Sequence, residues 1–181
     1  MKFLKNILSI LNREMPICCL KKRGLKIGKN FSKQQGCFID PSHCFLIEIG
    51  DNVTFSNRVT LLAHDASSKK ISSYVKIGKI KIEDNVFIGA NVTVLPNVKI
   101  GKNAIIGASS VVTKDVPENS VVVGNPAKVI MDIEEYENKI KTQMDNSIKF
   151  EEDYKIENKV SKEKKEKMKD AVERYGICFI K

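Results

Sequence analysis

Residues 80–115 read IKIEDNVFIGANVTVLPNVKIGKNAIIGASSVVTKD, and the spacing inside this run decides the fold. Ile82, Ile88, Val94, Ile100, Ile106 and Val112 fall six apart. A second series, Ile80, Val86, Val92, Val98, Ala104, Ser110 and Val116, keeps the same period two residues out of step. Asn85, Asn91, Asn97 and Asn103 share it. Six is not a helical period, so an α-helix would scatter these side chains around its circumference. Two apolar positions two apart suit one face of a short strand. Asparagine and glycine then supply corners, because both tolerate positive φ. The repeating unit is a short strand and a corner. Three units close a triangular coil, and stacked coils share a continuous apolar interior. An antiparallel meander explains alternation but not a fixed period of six.

The pattern extends towards the N-terminus. Ile47, Val53 and Val59 form one earlier series, and Ile49, Phe55 and Leu61 its partner. Six of the ten glycines directly follow an isoleucine, among them Gly89 and Gly107. The coil is expected over residues 25–131. It is interrupted by the polar segment 63–74, AHDASSKKISSY, which should leave the coil as a loop. Loops on a rigid scaffold are where function concentrates.

The hexads, the loop LLAHDAS and the ending IGASSVVTKDVPENSVVVGNPAKVI resemble the hexapeptide-repeat acyltransferases, and most closely their maltose, galactoside and polysaccharide O-acetyltransferase members. The hexads specify only the fold; the VVTKD…GNPAKVI ending points to acetyl-coenzyme A as co-substrate. The resemblance implies an all-β solenoid, a left-handed parallel β-helix, assembled as a homotrimer with active sites at subunit interfaces. It implies transfer of an acetyl group to a hydroxyl of a sugar or surface-polysaccharide precursor. Acceptors of other kinds stay open: serine, an antibiotic or a sugar amine.

Acyl transfer to a hydroxyl needs a base for its proton and donors for the developing oxyanion. Neutral imidazole suits the first task. His64, at the start of the excluded loop, stands at the scaffold edge where it would be both held and accessible, and it matches the family's catalytic histidine. Asp65 is a candidate to orient His64 or to meet the acceptor, although neighbours in an extended segment point to opposite sides. His43 is expected to be structural. Pantetheine, a chain of amides, can lie along a solenoid edge where side chains are small. Ala90 and Ala108 match family positions whose backbone contacts coenzyme A, and Thr113 and Lys114 match coenzyme-contacting positions too. Lys114 and Lys128 would meet its phosphates. Lysine at 128, where relatives often carry arginine, keeps the charge but loses bidentate geometry. Met131 and Asp132 stand where relatives often carry a further basic residue.

Composition limits the rivals. The chain has 181 residues, 42% hydrophobic and 29% charged, a globular balance. Two histidines are too few for a γ-class carbonic anhydrase, which shares this scaffold but holds zinc with three. No metal is expected to be required. The odd count of five cysteines, without CxxC spacing, argues against a disulfide framework and for a reducing cytoplasm. A non-catalytic trimeric scaffold is the remaining alternative class; acetyl-coenzyme A binding discriminates.

The net charge of +9 is uneven. Residues 1–33 carry nine Lys/Arg against Glu14 alone, whereas residues 132–181 carry twelve against thirteen acids. Nucleic acid is not expected as a partner, because no recognised binding motif accompanies the basic front. Residues 1–24 are expected to form an amphipathic basic helix and linker, with Phe3, Leu4, Ile7, Leu8 and Leu11 on one face. This helix would pack on its own domain or touch the inner membrane face. Residues 132–181 should be a charged helical extension, with Met168, Ala171, Val172 and Tyr175 on one stripe and Gly176 ending the helix. It is a candidate cap for the solenoid, whose last coil would otherwise expose an unpaired edge.

Overall fold

A computed structural model of the chain describes residues 14–181. The expected helix face at Phe3–Leu11 lies outside the described residues. No described helix is long and apolar enough to cross a membrane. The chain divides into two compact units, Met1–Ile133 and Glu134–Lys181.

The first unit is a three-sided parallel coil. One face stacks Lys26–Ile27, Ile47–Ile49, Ile80–Ile82 and Val98–Ile100. The second stacks Ser32–Lys33, Thr54–Phe55, Phe87–Ile88, Ile105–Ile106 and Ser120–Val123. The third stacks Phe38–Ile39, Thr60–Leu61, Thr93–Val94 and Val111–Val112. The chain visits the faces in turn, and the pairs between successive coils are parallel. Both apolar series point inward: Ile80, Ile88, Val92, Val94, Ile100, Ala104 and Ile106 are fully buried. Ser110, the polar member of the second series, is also fully buried. Its hydroxyl donates to the Gly107 carbonyl at 2.7 Å and accepts from the Gly124 amide at 3.0 Å.

The corners divide the labour between asparagine and glycine. Asn30, Asn52, Asn85, Asn103 and Asn119 all sit near φ +55°, between 53° and 58°. They stack on one corner of successive coils, each side-chain amide donating to the next at 2.7–3.1 Å. The glycines after isoleucine serve a different need from the positive φ expected of them. Positive φ is found at Gly24, Gly36, Gly124 and Gly176 instead. A Cβ on Gly89 would lie 2.7 Å from the Ala108 nitrogen and 2.8 Å from the Ile106 carbonyl oxygen, so close approach of the next coil excludes a side chain.

A regular coil takes three hexads, as from Thr93 to its partner Val111. Two coils are longer. One runs from Phe38 to its partner Thr60, and the next, longer still, from Thr60 to its partner Thr93. Both insertions fall at one corner, where the third face passes to the first. The shorter, after Ile39, includes a 3-10 turn at Cys44–Leu46. The longer leaves after Ala63 and rejoins at Ile80, beyond the expected end at residue 74. Val75 to Gly78 stay with the excursion because Lys76–Ile77 pairs antiparallel with His64–Asp65.

The ends of the coil are covered by its own chain. Helix α1, Ile17–Lys22, begins directly after Pro16 and buries Leu20 in the core. Proline there costs no hydrogen bond, since the first turn lacks acceptors for its amides. At the other end, Val129 and Ile130 are half exposed and do not continue the parallel coil. Lys128–Asp132 folds back antiparallel on Ser120–Val123 and closes that edge.

The second unit contains α2, Ile133–Asp145, and α3, Lys162–Tyr175. Ser161 caps α3 by accepting from the Lys164 amide, and Gly176 at φ +75° ends it. Glu163 and Lys167 pair at 3.0 Å along the helix, and Ala171 is its buried residue. Lys149–Phe150 and Phe179–Ile180 form a two-stranded parallel pair.

Candidate active site

The two insertions that break the period carry the site. Ile39 pairs with Leu61, so the residues that follow them, Asp40 and Leu62, share the corner on adjacent coils. Asp40 is fully buried. Its Oδ2 accepts the Ala63 amide at 3.2 Å and lies 2.5 Å from His64 Nδ1. Its Oδ1 accepts the amides of Ser42 at 3.0 Å and His43 at 3.3 Å. Burial alone would raise the Asp40 carboxyl. The His64 hydrogen bond, the Ser42 amide, the His64 charge and the His43 amide together outweigh burial, and the carboxyl is held below its ordinary value. A carboxylate only accepts, so it fixes a proton on Nδ1 and leaves the Nε2 lone pair of neutral His64 free. The His64 side chain is 34% exposed, whereas Asp40 beneath it is fully buried.

Asp65 does not orient His64. Its carboxylate accepts the Ser67 amide at 2.8 Å and pairs with Lys76 at 2.6 Å, shaping the excursion from within. The Lys76 hydrogen bond leads the causes that hold the Asp65 carboxyl well below its usual range. Asp40 takes the orienting position. The clue in the sequence is its place directly after an inward hexad residue, one coil before Leu61–His64. The unequal coil length hides that alignment.

His43, expected to be structural, stands at the same corner. Its ring centroid lies 4.9 Å from that of His64, and its Nδ1 is 3.7 Å from Asp40 Oδ2. That Nδ1 is buried and has no hydrogen-bond partner among the described residues.

The remaining candidates split between two corners. Thr113 and Lys114 are exposed and follow Val111–Val112, at the corner that carries His64. Leu62 donates its amide to Val94 and Leu95 donates to Val112, so Thr113 lies two rungs from the His64 level, about 10 Å at ~4.8 Å per rung. Ala90 and Ala108 stack at a different corner, between the second and third faces, where the Ser109 amide donates to the Ala90 carbonyl at 2.7 Å. The turn that begins at Gly124 folds over that corner: Val111 donates to Gly124, and Ala127 to Val111. Lys128 follows, exposed, opposite Val123. A single chain therefore brings Asp40, His43 and His64 together, with Thr113 and Lys114 along the same edge. It does not bring Ala90, Ala108 or Lys128 to them.

The chain is similar to proteins of a known family. The family described as bacterial transferase hexapeptide (six repeats) matches residues 79–114. Protein CapG of Staphylococcus aureus is 36% identical over 153 residues, covering 81% of this chain and 88% of that protein. Galactoside O-acetyltransferase of Escherichia coli K12 is 34% identical over 152 residues, covering 81% and 68%. The crystal structure of a maltose O-acetyltransferase from Clostridium difficile 630 superposes with a TM-score of 0.54 at 41% identity, over 61% of this chain and 59% of that one. Matches to relatives from Schizosaccharomyces pombe and Bacillus subtilis span 52% and 66% of those proteins.

Proposed function

The chain belongs to the hexapeptide-repeat acetyltransferases, and on that footing we propose that it moves an acetyl group from acetyl-coenzyme A to a hydroxyl of a sugar or surface-polysaccharide precursor. The observation that carries the proposal is the buried Asp40 carboxylate 2.5 Å from Nδ1 of the partly exposed His64. This pair prepares Nε2 as a general base. The acceptor hydroxyl oxygen attacks the thioester carbonyl while His64 Nε2 takes its proton. The imidazolium formed is stabilised by Asp40, as a carboxylate beside a catalytic imidazole does in acyl transfer. Collapse of the tetrahedral adduct breaks the carbon–sulfur bond, and His64 returns the proton to the departing thiolate. The products are the acetyl ester and coenzyme A. A sugar hydroxyl is favoured by the two relatives named as galactoside and maltose O-acetyltransferases. Asp65 and the excursion that carries it contribute to acceptor choice.

The coil is left-handed in this proposal, following the family, and the working unit is a homotrimer. Its support is the separation described above: a groove between two chains sets the His64 corner of one beside the Ala90 and Ala108 corner of the next. Pantetheine in that groove reaches Ala90, Ala108 and Thr113 by backbone and small-side-chain contacts. Lys114 and Lys128 meet the phosphates as point charges.

Calorimetric titration of the protein with acetyl-coenzyme A, with particle mass measured in the same buffer, tests this. The expected result is one site per chain in a trimer with a dissociation constant of about 1 μM to 1 mM, the usual range for substrates. Thiol release should then depend on an added sugar or nucleotide sugar. A folded protein that binds no acetyl-coenzyme A overturns the proposal.

A further inference from the structure

Asp40, His43 and His64 offer one ligand atom each, and the three atoms lie within 4.8 Å of one another. We propose that these side chains form a site for Zn2+, and that the bound ion silences the base; the second half rests on the catalytic role proposed for His64. Two imidazoles and a carboxylate are a zinc donor set that leaves a fourth position open. The nitrogen donors select against magnesium and calcium, which take oxygen ligands. Two of the three spacings are close to what an ion needs, and the separation of the two imidazole nitrogens is within 4.8 Å and closes as the ion binds. Two ligands on one tetrahedral zinc, each bonded at about 2.0–2.1 Å, stand roughly 3.3 Å apart. His43 Nδ1 is already 3.7 Å from Asp40 Oδ2. His64 Nδ1, at 2.5 Å, has to open by about 0.8 Å as the ion replaces the shared proton.

A second, independent observation points the same way. His43 Nδ1 is buried and unpartnered among the described residues, a state that costs free energy unless something binds there. The residue is nevertheless held, since its amide donates to Asp40 Oδ1 and its ring lies against His64. The side chains of His43 and His64 are 28% and 34% exposed, so the ion enters beside the rings to reach donor atoms of which His43 Nδ1 and Asp40 are buried.

The chemical consequence follows from the tautomer. Neutral His64 keeps its proton on Nδ1 while Asp40 accepts it. When Nδ1 gives its lone pair to Zn2+, that proton moves to Nε2. No proton is gained or lost overall and no electron is transferred. Nε2 then donates and no longer accepts, so it cannot take the proton of an acceptor hydroxyl. The ion is an inhibitor here and supplies no step of the reaction.

The test is titration of ZnCl2 into the full chain without any acetyl donor, followed by calorimetry, with Co2+ absorption as a report on tetrahedral nitrogen–oxygen ligation. One ion per chain is expected. His43→Ala and His43→Gln should each weaken binding by about 100-fold or more, beyond the ~10–100-fold that loss of an outer partner causes. The double variant Cys18→Ser/Cys19→Ser should bind as the parent does. Far-ultraviolet dichroism and particle mass establish that each variant is folded, and His43→Gln preserves bulk if His43→Ala does not. In turnover assays Zn2+ should slow acetyl transfer and a chelator restore it. The site is overturned if no ion binds up to about 1 mM, an affinity worth only ~4 kcal/mol. It is equally overturned if both folded His43 variants bind like the parent. Because binding is read without coenzyme, absent Zn2+ binding in an active enzyme sinks this inference alone. Zn2+ binding that leaves transfer unchanged, or a chain with no transfer to inhibit, overturns the silencing of the base.

Discussion

Asp40 and His64 stand 24 positions apart in the sequence and meet at one corner of adjacent coils, Oδ2 against Nδ1 at 2.5 Å. Each sits in an insertion that breaks the three-hexad coil. The rigid ladder between Phe38–Ile39 and Thr60–Leu61 holds the two insertions in register. An imidazole positioned in this way is aimed by the scaffold and not by the loop beyond it.

His64→Ala should lower kcat by about 10²–10⁴-fold, the span of a positioned general base, while acetyl-coenzyme A binding by calorimetry changes little. Turnover close to that of the parent removes His64 from the role.

Asp40→Asn should also lower kcat by about 10²–10⁴-fold with coenzyme binding retained. The neutral amide can donate to Nδ1 and so stabilise the tautomer that carries its proton on Nε2. Steady-state kinetics beside calorimetry separate this from loss of binding. The substitution also leaves the amides of Ala63, Ser42 and His43 with weaker acceptors, so a fall in Tm should accompany it.

Lys114→Ala should weaken acetyl-coenzyme A by about two- to fivefold, the scale of an exposed charge pair, and weaken pantetheine analogues less. Equal weakening of phosphorylated and unphosphorylated donors places Lys114 away from the phosphates.

Acid should expose the charge ladder on the outer side of the first face. The Lys99 hydrogen bond, against the opposing effect of burial and with help from Lys81, holds the Glu83 carboxyl below its ordinary value; those of Lys26 and Lys79 do the same for Glu48. A carboxyl lowered on folding binds fewer protons in the native state. Its stabilisation is therefore present above its ordinary value, near 4.3, and is lost as pH falls through and below it. In thermal melts the Tm gap between the parent and Glu83→Gln should close as pH drops below about 4. A gap independent of pH would mean that shape, not charge, distinguishes the variant.

Legibility follows distance along the chain. The inward series, the corner asparagines and the excursion at His64 repeat or break at short range, so they can be read directly. The role of the glycines after isoleucine is misplaced in such a reading, because the contact that excludes a side chain at Gly89 comes from Ala108 and Ile106 on the next coil. Asp65 is the nearer candidate to orient His64 only because it is next in sequence; Lys76 claims it in space. The last hexads, Val129 and Ile130, read as coil but belong to a returning strand, since nothing local distinguishes parallel from antiparallel pairing.

The sequence by itself determined the coil. Apolar residues two apart, repeated every six, leave one way to bury a short strand's inner face, and asparagine at positive φ turns the corner between the first and second faces of successive coils. The tertiary structure decided the site. Which carboxylate reaches His64 depends on the length of each coil, and the two lengthened coils put Asp40, not Asp65, behind the imidazole. Pairing between coils is a long-range constraint. It settles which side chains share a corner only once every insertion has been folded outside the ladder.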